Sequence, residues 1–205
     1  MTVMPMFPLG TVLFPGVTLV LHVFEPRYRE MVEVCLAGTP EFGVVLIERG
    51  SDVGGGDVRF DVGCVARIVS AAQLDDGRWA LGTVGTRRVR IGRWLDDAPY
   101  PRADVVDWDD PSAAVAVERR RAEVEASMRR VLALASEMGE EVADATTPLD
   151  DEPILASYQM AAVAPFGPLD HQSLLGAETA ADRLEILGRL LDEEEAVLAR
   201  RLAGG

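Results

Sequence analysis

The sequence predicts an α+β protein: a β-rich first half with one early helix, followed by an all-helical second half. Three observations carry this. Apolar, β-branched runs of strand length, separated by turn signals, fill residues 1–110. The character then changes at Trp108-Asp109-Asp110-Pro111-Ser112. Beyond that point Val117, Val124, Met128, Val131, Ala135 and Met138 recur at spacings of seven, four, three, four and three, which is one apolar stripe on a long helix. Two domains follow, 1–110 and 111–205.

In chain order, Val17–Phe24 is an apolar run of strand length. Tyr28, Met31, Val32, Cys35 and Leu36 then fall at i, i+3, i+4, i+7 and i+8, an amphipathic helix beginning near Pro26. Glu25 lies in or beside its cap position, where a carboxylate favours the helix dipole. Glu25 and Arg29 are four apart in the favourable order, and Arg27 and Glu30 three apart. The charges of Glu25-Pro26-Arg27-Tyr28-Arg29 thus belong to the corner where a strand becomes a helix, not to acid–base chemistry. Glu41–Glu48 and Val62–Leu74 read as further strands, joined by the glycine-rich link Ser51–Val58. Asp75–Arg78 is a hairpin turn, and Trp79–Arg93 returns from it. Within the return Val84, Val89 and Ile91 mix with Arg87, Arg88 and Arg90, so one side is wet. Tyr100–Trp108 is the last strand, and the set suggests a partly closed antiparallel barrel or folded sheet.

Asp110 is placed to cap the first helix of the second half, with Pro111 at its first position. Gly139 ends that helix. Shorter helices are predicted over Glu152–Val163 and Asp170–Leu175, and a long one over Ala180–Leu202 with Leu184, Leu187, Leu191 and Leu198 on one side.

Composition excludes several functions. Of 205 residues, 48% are hydrophobic and 26% charged, as in ordinary globular domains. No apolar run approaches the roughly 18–20 residues that span a bilayer. The N-terminus lacks a basic segment and is interrupted by Pro5, Pro8 and Pro15, which argues against a signal peptide. Cys35 and Cys64, both in apolar contexts, read as buried reduced thiols, and the cytoplasm is the expected compartment. The net charge of −14 is divided as −5 over residues 1–110 (11 Arg, 16 acids) and −9 over the remainder (9 Arg, 18 acids). That balance opposes DNA, disfavours RNA and opposes anionic lipid. All 20 basic residues are arginine. The absence of lysine removes the P-loop lysine, a Schiff base and a Ser–Lys pair.

No residue set makes a convincing catalytic, metal or cofactor site. His22 lies in an apolar strand and reads as a packed, hydrogen-bonded side chain. His171, Ser173 and Asp170 are neighbours in one short helix and cannot converge as a triad. Cys35, Cys64, His22 and His171 have no metal-ligand spacing. The Gly50–Val58 stretch lacks a lysine for a phosphate nest, and Asp192–Glu195 is a solvated helix face. Arg87, Arg88, Arg90 and Arg93 form the one basic cluster, with cross-strand pairing to acids as the competing structural reading. Phe14, Pro15, Trp94 and Tyr100 fall in loop positions, where such groups can form a patch for extended polypeptide; burial is the alternative.

The segment Met6–Leu36 carries a family resemblance. Phe7-Pro8-Leu9, Leu13-Phe14-Pro15-Gly16, His22-Val23-Phe24 and Glu25-Pro26-Arg27-Tyr28 resemble the start of the N-terminal substrate-binding domain of Lon proteases, a domain related to the one in cereblon. Phe42–Ile47, Val62–Ile68, Gly85–Ile91, Pro99–Val106 and the segment from His171 to Leu191 continue the match in order. The resemblance implies a PUA-like six-stranded β pseudo-barrel with one early helix, followed by an α-helical bundle. It also implies a free-standing, non-enzymatic binding module without ATPase or protease parts. Its expected partners are unfolded or client polypeptide and a separate ATP-dependent protease. Because PUA-like folds include RNA binders, RNA recognition through Arg87, Arg88, Arg90 and Arg93 is the alternative function.

Overall fold

A computed structural model describes residues 2–49, 58–111 and 115–204, so the Ser51–Val58 link lies almost wholly outside the described residues. The chain divides into two compact units, Met1–Asp109 and Asp110–Gly205.

The first unit holds β1 (Thr2–Leu9), β2 (Thr18–Val23), α1 (Pro26–Ala37), β3 (Glu41–Arg49), β4 (Val58–Gln73), β5 (Trp79–Leu95) and β6 (Arg102–Asp107). They form one six-stranded sheet in the order β2-β5-β4-β3-β1-β6, and β6 also pairs with β5, closing the barrel. β5 is long enough for two partners: Trp79–Val84 pair with β2, and Val89–Leu95 pair with β6.

One expectation needs correction here, and one strand goes beyond the local reading. The sheet is mixed rather than antiparallel, because β1 runs parallel to β3 from Met6↔Gly43 to Leu9↔Leu46. β1 itself was masked to a propensity reading by Pro5 and Pro8, residues depleted in strands. It survives because Thr2–Pro5 pair with β6 while Met6–Leu9 pair with β3, so each half has one sheet partner. A proline costs a ladder bond only on the side its missing N–H would have faced.

Consecutive residues of a strand point to opposite faces, and here both faces are buried. Met4, Met6, Val45, Val65, Val89, Ala103 and Val105 form one cluster, to which every strand of the closed ring contributes; it fills the barrel. Phe7, Val44, Cys64 and Ala66, each adjacent in sequence to a member of the first set, belong to a second cluster with Leu21, Val23 and the inner face of α1. This explains why Phe42–Ile47 is an unbroken apolar run.

α1 starts at Pro26 with Glu25 as its cap residue and buries Tyr28, Met31, Val32 and Cys35. Leu36, expected on the same stripe, is exposed instead, because the helix ends one residue later and its last turn passes the edge of the core. In the β4–β5 hairpin, Gly77 takes φ 80°, and its N–H donates to the Leu74 carbonyl at 2.8 Å.

The second unit holds α2 (Val115–Glu137), α3 (Pro153–Val163), α4 (Pro168–Leu175) and α5 (Ala180–Gly204). α2 and α5 pack along one another, and α3 rests against both. Val124, Met128, Val131, Leu132 and Ala135 face Leu184, Leu187, Leu191 and Leu198 in a dry core. Met138 lies in the turn after α2 and is half-buried. The Asp110 carboxylate accepts from Arg183 at 2.8 Å and from the Tyr158 hydroxyl, which ties it to α5 and α3; the helix cap expected of it falls on residues 112–114, outside the described residues.

Candidate functional site

The Glu25–Arg29 cluster is a corner, as its residue types suggest, but its pairing differs from the spacing argument. Glu25 makes no side-chain cap bond; it pairs with Arg27, 3.1 Å away. Arg27 lies over the Tyr28 ring at 4.6 Å, and that ring stacks on Phe7 at 4.2 Å between centroids. Arg29 extends to the hairpin tip, where its guanidinium fills the space a Gly77 side chain would need. The cluster therefore locks the start of α1 to β1 and to the β4–β5 turn.

The four arginines are largely committed within the unit. Arg87 bonds Glu41 at 2.9 Å and Asp107 at 3.1 Å, and Arg93 bonds Asp104 at 2.8 Å. Arg88 is 1% exposed. Both Arg88 and Arg90 lie over the Trp108 ring, at 4.0 and 3.6 Å. Cross-strand pairing is the role the geometry assigns to Arg87 and Arg93, and it neutralises the charge that a phosphate backbone would need.

The loop residues also lie differently from the expected patch. Phe14 is 1% and Tyr100 7% exposed, and Pro15 is buried. The Leu13–Gly16 turn folds back: Gly16 takes φ 74°, the Phe14 carbonyl accepts from Val17 at 3.2 Å, and that carbonyl packs on Gly85. Tyr100 joins the cluster beneath α1. Trp94 is half-buried at the edge of the barrel core, with Arg59 over its ring at 4.5 Å. Burial satisfies these aromatic surfaces inside the fold, so Phe14, Pro15 and Tyr100 present little surface to a ligand.

The ionisable groups raised as candidate chemistry are otherwise occupied. His171 Nε2 lies 3.2 Å from the Ala164 carbonyl, and burial lowers its pKa. Ser173 Oγ donates to the Asp170 carbonyl at 2.7 Å, a bond within its own helix. Burial pushes the Cys35 thiol up to about 11 and Cys64 to about 12, the opposite of an activated nucleophile. Among the described residues no three His, Cys, Asp or Glu side chains gather as a metal site. No described helix is long and apolar enough to cross a membrane.

Exposed apolar side chains stand on and beside β2. His22, expected to be packed, is exposed, because Leu19, Leu21 and Val23 take the inner face and leave Thr18, Val20 and His22 outside. Val20 is 70% exposed and Val69, two strands away, 61%. Between them Gly82, Ala80, Ala72 and Ser70 leave a shallow shelf of about 330 Å³. Beside β2 lies a cavity of about 140 Å³ lined by Phe7, Leu9, Leu21, Val23, Phe24 and Tyr28, with His22 and Glu25 also on its wall. Phe24, 54% exposed, stands beside it. The apolar/polar period of β2 was the available signal, but Thr-Leu-Val-Leu-His-Val is nearly apolar on both faces, so it did not say which face was free.

Comparison with known proteins gives the same picture. The profile of the "ATP-dependent protease La (LON) substrate-binding domain" matches residues 3–193. Lon protease 2 of Herpetosiphon aurantiacus is 30% identical over 200 residues, which is 95% of this chain and 24% of that protein. Lon protease of Cytophaga hutchinsonii is 27% identical over 199 residues. The chain thus spans about a quarter (24%) of the length of these curated relatives. Among solved structures, the Lon N-terminal domain protein from Xanthomonas campestris superposes with a TM-score of 0.66 at 27% identity, covering 91% of this chain and 97% of that one. The N-terminal domain of the Mycobacterium avium complex Lon protease shares the fold, with a TM-score of 0.69 at 17% identity, covering 93% of this chain and 98% of that one. The barrel, its early helix and the helices after it are those of the Lon N-terminal domain, and the chain belongs to the LON substrate-binding domain family.

Proposed function

We propose that this chain is a non-catalytic polypeptide-binding module, and that it holds exposed apolar segments of client proteins on the outer face of β2, β5 and β4. One observation carries the reading. In a member of a substrate-binding family, Val20 and Val69 stand exposed on either side of a shelf of small side chains. Small residues let an extended chain approach the sheet closely, and the two valines give its apolar side chains a partner. The absence of catalytic function is part of the proposal. It is supported by a sequence without lysine and by a His171 and Ser173 that spend their polar atoms on backbone carbonyls. Delivery of the client to a separate ATP-dependent protease, and residence in the cytoplasm, complete the reading.

Isothermal titration with a permanently unfolded, carboxymethylated polypeptide tests it. The wild-type chain binds, and Val20→Glu or Val69→Glu weakens binding about tenfold or more, since burying a carboxylate against apolar side chains costs more than about 1.4 kcal/mol. Both positions are exposed, so the fold tolerates the change. No binding by the wild-type chain at millimolar polypeptide overturns the reading.

A further inference from the structure

β2 lies at the end of the strand order and, among the described residues, pairs only with β5. Which of its backbone groups face away from β5 follows from two hydrogen bonds. Gly85 N–H donates to the Val17 carbonyl at 2.8 Å, and the Thr83 hydroxyl donates to the Leu19 carbonyl at 2.8 Å. Odd-numbered residues therefore turn toward β5, and alternation along an antiparallel pair turns the N–H and C=O of Thr18, Val20 and His22 outward. All three residues are exposed. Natural edge strands are commonly blunted by proline, lysine, a bulge or a covering loop. Thr18–Val23 contains no proline or lysine, and its register with β5 runs without interruption from Thr18↔Val84 to Val23↔Trp79. Immediately inside this edge lies the cavity of about 140 Å³, large enough for one leucine-sized side chain.

We propose that the client segment docks as an added strand on the outer edge of β2, with one medium-sized apolar side chain in the cavity bounded by Phe7, Leu9, Leu21, Val23, Phe24 and Tyr28. The occupant is specified by two requirements. A row of outward N–H and C=O groups is satisfied along its length by extended backbone, which supplies both donors and acceptors at the same repeat. The cavity beside the row is apolar over most of its wall and selects a branched aliphatic side chain. A folded partner offers them only where it too exposes an edge strand, whereas an unfolded segment offers them along any apolar stretch. The net charge of −14 favours neutral or cationic segments over acidic ones. The inference rests on the polypeptide-binding reading above and adds to the shelf on the face of β2, β5 and β4 a second contact, along the edge of β2.

The test uses the full chain and three capped nine-residue peptides of alternating valine and threonine with a central leucine. One is unmodified, one is N-methylated at every even amide, and one at every odd amide. Hydrogen exchange of the Thr18, Val20 and His22 amides is followed together with affinity. The unmodified peptide is expected to bind and to slow exchange at those three amides at least about tenfold. One methylated peptide keeps its affinity while the other loses at least about tenfold, because its two or three ladder bonds are gone. Replacing the central leucine by alanine also weakens binding. Equal affinity of both methylated peptides, with no slowing of exchange at the Thr18, Val20 and His22 amides, overturns the added-strand geometry and leaves polypeptide binding standing. Failure of all three peptides, together with failure of the carboxymethylated polypeptide, overturns both. Protection of the same three amides by self-association alone would seat a second copy of this chain on the edge, and that overturns the proposal as well.

Discussion

Arg183 holds its guanidinium 2.8 Å from the Asp110 carboxylate and 3.6 Å above the centre of the Tyr158 ring, fully out of contact with water. Ser157 and the Leu174 carbonyl accept its remaining bonds, at 2.8 and 3.3 Å. Such a buried pair adds little against an apolar replacement, but removing one member strands the other. Asp110→Ala and Arg183→Ala should each cost about 3–5 kcal/mol of stability in urea denaturation. The double variant Asp110→Asn/Arg183→Met should cost clearly less than the sum, since it leaves no unpaired charge.

Gly63 and Gly85 occupy positions where no side chain fits. A β-carbon on Gly85 would lie 2.1 Å from the Phe14 carbonyl oxygen, and one on Gly63 would lie 2.3 Å from that of Val44. Both obstacles are backbone and cannot swing away. Gly85→Ala and Gly63→Ala should each lower stability by about 1–3 kcal/mol, seen as a reduced urea midpoint with an unchanged slope. Gly85→Ala should also loosen the Leu13–Gly16 turn, detectable as faster exchange of the Val17 amide, whose bond to Phe14 depends on that carbonyl.

The two thiols make stability fall at alkaline pH. Burial raises Cys35 to about 11 and Cys64 to about 12 from an ordinary value of 9.0. Their contribution is complete below pH 9.0 and is lost as pH rises toward 11 and 12, because the unfolded chain releases protons that the folded one retains. Urea midpoints should therefore drop between pH 9 and 11, and Cys35→Ala/Cys64→Ala should flatten that drop. At neutral pH both thiols should resist iodoacetamide until the chain is unfolded.

The arginine cluster should behave as structure. Arg87→Ala leaves Glu41 without its 2.9 Å partner and should cost about 0.5–1 kcal/mol, reduced by salt. Fluorescence anisotropy with single-stranded RNA at low salt should detect no binding by the wild-type chain. A salt-dependent affinity lost in Arg90→Ala and Arg93→Ala would contradict this.

Much of this architecture is legible in the residues. The strand runs, the Asp75–Arg78 turn, the stripe through Val124, Met128 and Val131, and the leucines of α5 all appear where local period puts them. What escaped depends on partners far away in sequence. β1 was hidden by Pro5 and Pro8, and its parallel neighbour β3 could not be inferred from either strand alone. The pairing of Asp110 with Arg183 could not be read locally, because the two lie 73 residues apart. Phe14 and Tyr100 sit in loops, and whether a loop aromatic is buried is decided by tertiary packing. The candidate site was hardest to read, since an unpaired edge is a property of strand order and not of the strand.

The register of β1 has a consequence for how the protein is made. Its first residues pair with the last strand, Thr2 opposite Val105. A nascent chain must therefore carry the Thr2–Pro5 half of β1 unpaired until β6, about a hundred residues later, has emerged, while the β4–β5 hairpin can zip up as soon as its own turn is synthesised. Anything that captures the exposed Met-Pro-Met-Phe segment during that interval competes directly with closure of the barrel.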